Sequence, residues 1–315
     1  MTEPRVGVVV LTHDRADAVT RTLTHMRSLP ERPLLVVVDN GSLDGTSALV
    51  AQRFPSVTLV RLAANAGAAG RNAGVARVTA PYVAFCDDDT WWAPGSLRHG
   101  ADLLDAHPRL AVITARVVVG PAEREDPTCT EMAASPLDRE PGLPGTPILG
   151  FLAGASIMRR DAFLAVGGYE PRLFLGGEEA LVAVDLVTRG WALAYVPELT
   201  VHHHPSPRRE SRRRHRLLVR NALWFAWLRR PARRALRLTA RTVLAERASV
   251  TGLQGCAAAL AGAAWVRRAR RVVPAHVERM LERLERPRSP HVRALGPPPV
   301  GVPPPPARGD PTRAA

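Results

Sequence analysis

The chain contains no lysine, few cysteines and no long apolar run. All 43 of its basic residues are arginines. Its three cysteines, Cys86, Cys129 and Cys256, lie far apart, so neither a disulfide framework nor a zinc site is indicated. No stretch approaches the roughly 20 apolar residues that cross a bilayer, and residues 1–5 carry no hydrophobic signal region. We therefore expect a cytoplasmic protein.

Acidic residues are scarce in only one part of the chain, the C-terminal third. Residues 1–200 hold 18 arginines and 23 acidic residues, whereas residues 201–315 hold 25 arginines and 6 acidic residues. The first part has the charge balance of an ordinary enzyme domain, so the net charge of +14 belongs to the second. We predict a catalytic domain at 1–207, a basic helical extension at 208–286 and a Pro-rich disordered tail at 287–315.

The first 200 residues do contain a regular alternation of apolar strands and helical segments. Four runs rich in Val, Leu and other apolar residues are each followed by a polar cluster: 6–11, 34–38, 57–60 and 82–86. Such runs are typical of strands buried on both faces of a parallel sheet. The pattern predicts an α/β fold with an open, mostly parallel sheet flanked by helices. In sheets of this kind, ligands bind beyond the carboxyl ends of the strands.

Three consecutive carboxylates, Asp87, Asp88 and Asp89, follow the strand predicted at 82–86. Clustered carboxylates repel one another and are costly to bury unpaired, so a structural role explains them poorly. A hard divalent cation such as Mn²⁺ or Mg²⁺ would neutralise them, and such ions commonly lie between carboxylates and a substrate's phosphates. A solvated acidic turn is the plain alternative. The polar clusters at the neighbouring strand ends favour the metal site.

Two of those neighbouring clusters are weak signals when taken singly. Asp39-Asn40-Gly41-Ser42 follows the second strand, and such a sequence by itself more often forms a turn than a site. The segment Asn65–Gly74 has three glycines that could cradle phosphates or could allow a helix to pack closely. It follows the third strand and not the first, so it does not fit the dinucleotide fingerprint. Arg71 within it suits a bidentate phosphate contact.

Taken together and in this order, the motifs resemble those of family 2 glycosyltransferases. The segments that carry the resemblance are Val8–Arg15, Val38–Thr46, Asn65–Gly74, Asp87–Asp89, Gly154–Phe163, Val166–Glu170 and Gly176–Glu179. They span roughly residues 5–205, and the combination is specific although each piece is not. The family implies a GT-A, Rossmann-like fold, an inverting transfer of a sugar from a nucleotide-diphospho-sugar, and a divalent metal ion.

The resemblance also implies which side chains bind the nucleotide sugar. Near the base it implies Asp39 as a hydrogen-bond acceptor, with Thr12 and Arg15 nearby. The contacts to ribose and diphosphate are implied for four residues: Asn65, Gly70, Arg71 and Asn72.

The family's Asp-X-Asp motif matches Asp87 and Asp89. The resemblance assigns Asp87 and Asp88 to the nucleotide sugar, and Asp89 together with Asp87 to Mn²⁺ or Mg²⁺. The metal would bridge the diphosphate and stabilise it as the leaving group.

Glu178 and Glu179 stand where the family has a carboxylate pair at the start of a helix, and Gly-Trp at 190–191 ends that helix at the family's spacing. The resemblance implies a catalytic pair in which Glu179 is the general base that deprotonates the acceptor hydroxyl. Two carboxylates at a helix start also favour the helix dipole and could be just a cap. The chain departs from the family pattern at Leu181, where Asp is expected, and at Asp185, where Arg is common.

The strand predicted at 195–201 runs into three histidines, His202, His203 and His204. Relatives often place a metal-binding histidine after this strand, and imidazole suits Mn²⁺ alongside carboxylates. His202 aligns best by position, and His203 and His204 stay as alternatives.

Two regions outside these motifs carry more than one interpretation. The segment from about Cys129 to Pro147 is rich in Pro, Gly and charge, which predicts either a mobile loop over the acceptor or a plain surface insertion.

Arginines interleave with tryptophans at 212–231, and further helices are expected at 232–248, 252–270 and 275–286. Such helices suit an anionic membrane surface, or they pack on the catalytic domain with Arg on a solvated face. No motif supports nucleic-acid binding, so no nucleic-acid partner is expected.

The main hypothesis is a metal-dependent, inverting glycosyltransferase with a UDP-, GDP- or TDP-linked sugar donor. Its acceptor would be a glycan or a lipid-linked glycan intermediate of cell-envelope polysaccharide synthesis, reached in the cytoplasm or peripherally on the inner face of the plasma membrane. The alternative is a catalytically silent relative of the same fold that acts as a membrane-associated scaffold. Only Leu181 and Asp185 support that alternative, and metal-dependent nucleotide binding distinguishes the two.

Overall fold

The structure, a computed structural model, describes residues 4–205 and 211–286. Ten strands form one sheet: β1 (Val6–Thr12), β2 (Leu34–Asp39), β3 (Thr58–Arg61), β4 (Tyr82–Asp87), β5 (Thr90–Trp92), β6 (Leu110–Val119), β7 (Arg124–Glu125), β8 (Thr146–Pro147), β9 (Ser156–Arg159) and β10 (Ala192–His203). They lie in the order β3-β2-β1-β4-β9-β6-β10-β5, with β7 paired to β6 and β8 paired to β10.

Helices cover both faces of this sheet and form the C-terminal part of the described chain. They are α1 (Ala16–Arg27), α2 (Thr46–Arg53), α3 (Gly70–Val75), α4 (Ser96–Ala106), α5 (Pro127–Ala133), α6 (Arg160–Ala165), α7 (Glu178–Thr188), α8 (Ser211–Arg229), α9 (Ala232–Glu246), α10 (Val250–Ala261), α11 (Ala263–Ala269) and α12 (Ala275–Glu285). None of the helices in these residue ranges is both long and apolar enough to cross a bilayer.

The first four strands in sheet order, β3, β2, β1 and β4, are all parallel to their neighbours. Most apolar side chains of β1, β2 and β4 are buried, and Val8, Val9 and Val10 are completely buried. The edge strand β3 is only partly buried. Because the strands are parallel and in register, Leu11 lies beside Asp87 and Thr12 beside Asp39. The polar clusters that follow the strands therefore meet at one edge, as the sequence predicts.

The other half of the sheet has mixed pairing. Strand β9 inserts antiparallel between β4 and β6, while β10 is parallel to β6 and antiparallel to β5. The parallel arrangement predicted from the strand–helix alternation thus applies to β1–β4, where helical crossovers connect the strands. Beyond them, the antiparallel β9 brings the loop at 153–155 to the end of β4.

The segment from Cys129 to Pro147 is more ordered than a plain loop. Helix α5 begins here because the Asp126 carboxylate accepts a hydrogen bond from the Thr128 amide at 2.8 Å and Pro127 occupies the first helical position. Cys129 and Met132 are completely buried, and β8 pairs with β10. The prediction of a mobile loop is wrong for this helix and strand, since both are packed against the sheet. The Asp-Pro pair at 126–127 is the sequence signal for the start of this helix.

The helix predicted at 252–270 is two helices, α10 and α11, separated at Gly262. The Trp224 ring lies so close to Gly262 that no Cβ would fit there. Side chains of α8 and α12 belong to the same hydrophobic core as those of the sheet. The predicted boundary at residue 207 and the predicted tail at 287–315 lie outside the described residues.

The tryptophans of α8 face the protein interior. Trp224 is buried and donates a hydrogen bond from Nε1 to the Ala259 carbonyl at 2.9 Å, and Trp227 Nε1 donates to Thr239 Oγ1 at 3.0 Å. These rings are therefore not available to a bilayer. In α8 the packed arrangement, one of the two interpretations of the basic helices, is the one observed.

Asp185 on α7 is the residue that stands where an Arg is common in the family. Here it forms a bidentate ion pair with Arg229 of α8, with N–O distances of 2.6 and 2.7 Å. Leu181, the other departure, is buried. The two departures are thus explained by packing: Asp185 anchors the C-terminal helices to α7, and Leu181 contributes to the core.

We expect Arg229→Ala to lower the free energy of unfolding by about 3 kcal/mol, because it leaves the largely buried Asp185 carboxylate without its partner. Chemical denaturation measures this change. The matched control is Arg283→Ala, whose ion pair with Asp138 is exposed and is expected to contribute about 1 kcal/mol or less. Equal effects of the two substitutions would show that the Asp185 pair does not anchor the helices.

Candidate active site

A cleft of about 680 Å³ opens at the carboxyl ends of β1 and β4. Most of the residues predicted for the site lie in its walls: Thr12, Arg15, Asn65, Arg71, Asp87, Asp88, Asp89, Glu178 and Glu179. The parallel register of β1, β2 and β4 places the residues at the ends of these strands side by side, and α7 adds the two glutamates. The structure therefore brings together side chains that are up to 167 positions apart in sequence.

Asp88 is a buried carboxyl that is held from two sides. It accepts hydrogen bonds from Thr12 Oγ1 at 3.1 Å and from Arg15 Nη1 at 3.2 Å, and the same Arg15 nitrogen lies 3.2 Å from Asp89 Oδ2. Burial raises the pKa of Asp88 to about 7, against the lowering effect of Arg15 and with a further raising effect from Asp89. Charge repulsion in the triplet is thus relieved by Arg15 and by partial protonation of Asp88.

Asp87 is positioned by Arg71 and by the loop that precedes β9. Arg71 forms an ion pair with Asp87 Oδ1. A Cβ on Gly154 would lie 2.6 Å from Asp87 Oδ2, so only glycine allows this close approach. Thr90 Oγ1 accepts from the Asp87 amide at 2.9 Å and lies 3.2 Å from the Gly154 carbonyl. These contacts fix the first carboxylate of the Asp-X-Asp motif at the cleft.

His203 is the histidine that faces the cleft. Its Nε2 lies 3.6 Å from Asp89 Oδ1. His202 points to the other side of the strand, where its Nδ1 lies 3.3 Å from Glu123 Oε1 and its ring stacks on Trp91. Successive side chains of a strand point to opposite faces, so the two histidines cannot both face the cleft. Of the two, His203 is the one beside the carboxylates, and the metal-binding histidine stays a prediction with His203 now the better placed candidate.

The side chains at the cleft suit a divalent cation only in part. Asp87, Asp89 and His203 offer two hard carboxylates and an imidazole, which are ligands that Mn²⁺ accepts. Residues 4–205 and 211–286 contain no group of three such side chains already arranged around one point. A bound ion would therefore need oxygen ligands from a diphosphate or from water, as is usual for Mg²⁺. Arg15 and Arg71, now on the carboxylates, could then contact the phosphates instead.

Glu178 and Glu179 begin α7 after Gly177, whose φ of 88° requires glycine. Glu178 is buried, and its Oε2 has no hydrogen-bond partner among the described residues. Burial, reinforced by the Glu178 charge, raises the pKa of Glu179 to about 8. Backbone amides at the helix start lower the pKa of both glutamates, but the effect of burial is larger. A half-buried carboxyl with a pKa near neutrality is typical of a group that transfers protons.

With this geometry established, comparison with known proteins gives the family. Residues 7–167 match the model of Glycosyl transferase family 2, which is about half of the chain. The chain belongs to this family. It is a glycosyltransferase, as the resemblance of its motifs implies.

Two relatives of this glycosyltransferase come from Mycobacterium tuberculosis. An N-acetylglucosaminyl-diphospho-decaprenol L-rhamnosyltransferase is 29% identical over 235 residues, which cover 62% of this chain and 75% of the relative. A pre-mycofactocin glycosyltransferase is 30% identical over 217 residues, which cover 65% of this chain and 44% of the relative.

Solved structures confirm the predicted GT-A fold of the glycosyltransferase. The mannosyltransferase PcManGT from Pyrobaculum calidifontis, in complex with GDP-Man and Mn²⁺, superposes with a TM-score of 0.55 at 20% identity and covers 84% of this chain and 76% of its own. TarS from S. aureus gives a TM-score of 0.54 at 16% identity, covering 78% of this chain and 44% of TarS.

Three residues predicted to bind the nucleotide do not line the cleft. Asp39 is completely buried, and its carboxylate accepts from the Ser42 amide at 2.8 Å and from the Ser47 hydroxyl. A contact with a nucleotide base remains a prediction that requires Ser47 to move. Gly70 allows the Asn40 side chain to approach α3.

Asn72, the third of these residues, joins two parts of the backbone. Its Nδ2 donates to the Tyr169 carbonyl at 2.8 Å, and its Oδ1 accepts from the Tyr169 amide at 3.0 Å. The side chain thereby fastens α3 to the segment that leads to α7. Its predicted place along the diphosphate stays a prediction.

Asn40, Arg213 and Arg214 also line the cleft, although the motifs gave them no role. Asn40 donates to Asn65 Oδ1 and to the Gly67 carbonyl, each at 3.0 Å, and so holds the glycine-rich segment in place. Because Asn40 directly follows Asp39 in a polar cluster at a strand end, its place at the cleft could have been predicted from the sequence. The two arginines belong to the basic run at 212–216, whose sequence gives no sign that α8 passes beside the cleft.

Proposed function

We propose that this glycosyltransferase is a metal-dependent, inverting enzyme with a nucleotide-diphospho-sugar donor and a lipid-linked acceptor that carries a diphosphate. The observation that carries the proposal is the presence of Asp87, Asp89 and Glu179 in the walls of one cleft. An inverting transfer needs stabilisation of the leaving diphosphate and one base for the acceptor hydroxyl. In this proposal Asp87 and Asp89 serve the first requirement and Glu179 serves the second.

The donor end of the cleft is suited to the diphosphate. Arg71 and Arg15 contact the phosphate oxygens after they exchange their carboxylate partners, because a guanidinium fits phosphate as well as carboxylate. Burial would lower the pKa of Arg71, but Asp87 and the two glutamates raise it, so the guanidinium stays charged. Held by Asp89, Asp87 and His203, Mn²⁺ or Mg²⁺ would supply Lewis-acid stabilisation of the leaving diphosphate.

Glu179 accepts the proton of the acceptor hydroxyl as that oxygen attacks the anomeric carbon. The buried Glu178 charge beside it makes Glu179 a stronger base than an ordinary glutamate. The buried Glu178 Oε2, which has no partner among the described residues, is an acceptor that a sugar hydroxyl can satisfy. The glutamates thus bind and orient the acceptor at the place where its proton leaves.

The acceptor diphosphate is assigned to Arg213 and Arg214. Both are exposed on the first turns of α8, at the rim of the cleft. Two cations on one rim suit a diphosphate group. The name of the mycobacterial rhamnosyltransferase, which refers to an N-acetylglucosaminyl-diphospho-decaprenol, supports this choice of acceptor class and a role in cell-envelope polysaccharide synthesis.

We expect Arg213→Gln combined with Arg214→Gln to raise the KM for a diphosphate-linked acceptor by about a hundredfold, since each lost charged hydrogen bond costs about 1.5 kcal/mol and two are lost. Steady-state kinetics with the donor saturating measures this change, and the KM for the donor should stay within about twofold. Arg212→Gln, an exposed neighbour that does not line the cleft, is the control. A rise in the donor KM alone would assign the two arginines to the donor.

The experiment for the function as a whole is a transfer assay. The purified protein is mixed with Mn²⁺, a panel of UDP-, GDP- and TDP-sugars, and a short-chain prenyl diphosphate that carries one sugar. Mass spectrometry should detect the addition of one sugar from one donor, and NMR should show an inverted anomeric configuration. Retention of the donor's configuration, or transfer only to acceptors without a diphosphate, would overturn the proposal.

A further inference from the structure

Large apolar side chains are exposed on the helices that lie furthest along the described chain. Of the nine large apolar residues that are markedly exposed within the described ranges, seven lie between positions 236 and 272: Leu236, Val243, Leu244, Val250, Leu253, Leu260 and Val272. Single exposed apolar residues are ordinary, but such a concentration marks a surface that another apolar body covers.

Helix α10 turns its small residues inward and its large residues outward. Gly252 packs against Glu246 of α9, Gly255 against Val219 of α8, and Gly262 after the helix against Trp224, with no room for a Cβ at any of the three. The opposite side carries Val250, Leu253 and Leu260, and no residue of α10 is charged. A helix on a water-exposed surface has the reverse pattern.

Helix α9, which contacts α10 where Glu246 packs on Gly252, carries exposed cations. Arg233, Arg237 and Arg241 follow one another at four-residue spacing on its exposed side, and none forms an ion pair with a described residue. Leu236 and Leu244 lie on the same side of the helix. Residues 211–286 as a whole hold 19 arginines and 4 acidic residues. We call the exposed sides of α9 and α10 together the docking face.

We propose that the docking face binds the surface of an anionic lipid bilayer. Apolar side chains next to unpaired arginines are the composition with which interfacial helices enter the headgroup region of anionic membranes. A second copy of the chain is a poorer partner, because the arginines of the two copies would face and repel one another. The proposal concerns binding and not transfer, so it does not depend on the proposed function.

The position of the docking face relative to the cleft gives the contact a use. Gly255 of α10 packs on α8 beside the Arg216 carbonyl, one turn from Arg213 and Arg214 at the cleft rim. The cleft and the outer side of α10 are therefore separated by the thickness of both helices, roughly 20–24 Å. Binding of the docking face to a bilayer would keep the cleft within this distance of a substrate anchored in the membrane.

The test is co-sedimentation of the full chain with phosphatidylcholine vesicles, with and without phosphatidylglycerol. We expect binding to the anionic vesicles that weakens as salt is added. Leu253→Ser should weaken this binding about five- to tenfold, because it removes one apolar side chain from the interface. Arg237→Gln combined with Arg241→Gln should weaken it about tenfold or more.

Matched controls separate the docking face from general surface effects. Leu164→Ser changes a leucine with nearly the same exposure as Leu253, 45% against 44%, on α6. Arg77→Gln combined with Arg98→Gln removes the same charge from exposed positions elsewhere. Circular dichroism confirms that each variant is folded. Equal binding to neutral and anionic vesicles, or equal losses in the control variants, would overturn the proposal. Self-association that Leu253→Ser abolishes, without vesicle binding, would assign the face to a second copy.

Discussion

Asp89→Ala is expected to abolish the metal dependence of nucleotide binding. In the presence of Mn²⁺ its Kd for the nucleoside diphosphate of the donor should rise at least about a hundredfold, to the wild-type value measured in EDTA. The physical reason is that few protein ligands are available at the cleft, so loss of one carboxylate leaves the ion held mainly by phosphate and water. Isothermal titration calorimetry with and without Mn²⁺ measures this. An Asp89→Ala variant that keeps its Mn²⁺-dependent affinity would remove Asp89 from the site.

The two neighbouring histidines provide a matched pair for the same experiment. His203→Ala should reduce the effect of Mn²⁺ on nucleotide affinity, because His203 lies 3.6 Å from Asp89. His202→Ala removes the same kind of side chain from the opposite face, beside Trp91, and should leave the effect of Mn²⁺ unchanged. The reverse result would assign the metal-binding role to His202.

Glu179→Gln is expected to lower the transfer rate by a factor of about 10² to 10⁴, the usual contribution of a general base, while the Kd for the donor stays the same. The amide keeps the shape of the side chain and cannot accept the proton. Glu170→Gln, which changes a carboxylate outside the cleft, should have little effect. Near-normal turnover in Glu179→Gln would rule Glu179 out as the base.

The pH profile gives a second readout for the same residue. A base acts in its deprotonated form, and the pKa of Glu179 is raised to about 8, so the wild-type rate should fall as the pH drops below about 8. Replacement of Glu178 by Gln removes the neighbouring negative charge, which should move this decline to lower pH. The residual rate of Glu179→Gln should not show the decline. A wild-type rate that is flat between pH 6 and pH 8 would contradict this assignment.

The edge of the sheet and most of the cleft could be predicted from the sequence, because local patterns determine them. Apolar runs that end in polar clusters predict parallel strands, and parallel strands place their carboxyl ends together. This rule alone predicts that Asp87, Asp89 and Arg71 lie at the cleft, without knowledge of distant contacts. The motifs of the family then added Glu178 and Glu179.

The remaining features depend on tertiary contacts that the local sequence does not contain. The choice between His202 and His203 depends on the register of β10, which has a bulge between Val196 and Thr200. The role of Asp185 depends on Arg229, 44 positions away. The basic run at 212–216 and the tryptophans of α8 have a composition that suits a membrane, but packing turns the tryptophans inward and places two of the arginines at the cleft.

The most direct test of a metal-dependent donor site is a thermal-shift panel of UDP, GDP and TDP, each with and without Mn²⁺. We expect one nucleotide to raise the Tm only when the metal is present, because a ligand at about 100 times its Kd stabilises the folded state by about 2.7 kcal/mol. That result would also identify the donor class. A shift of the same size in EDTA would contradict a metal-dependent cleft, and no shift with any nucleotide would contradict the donor site itself.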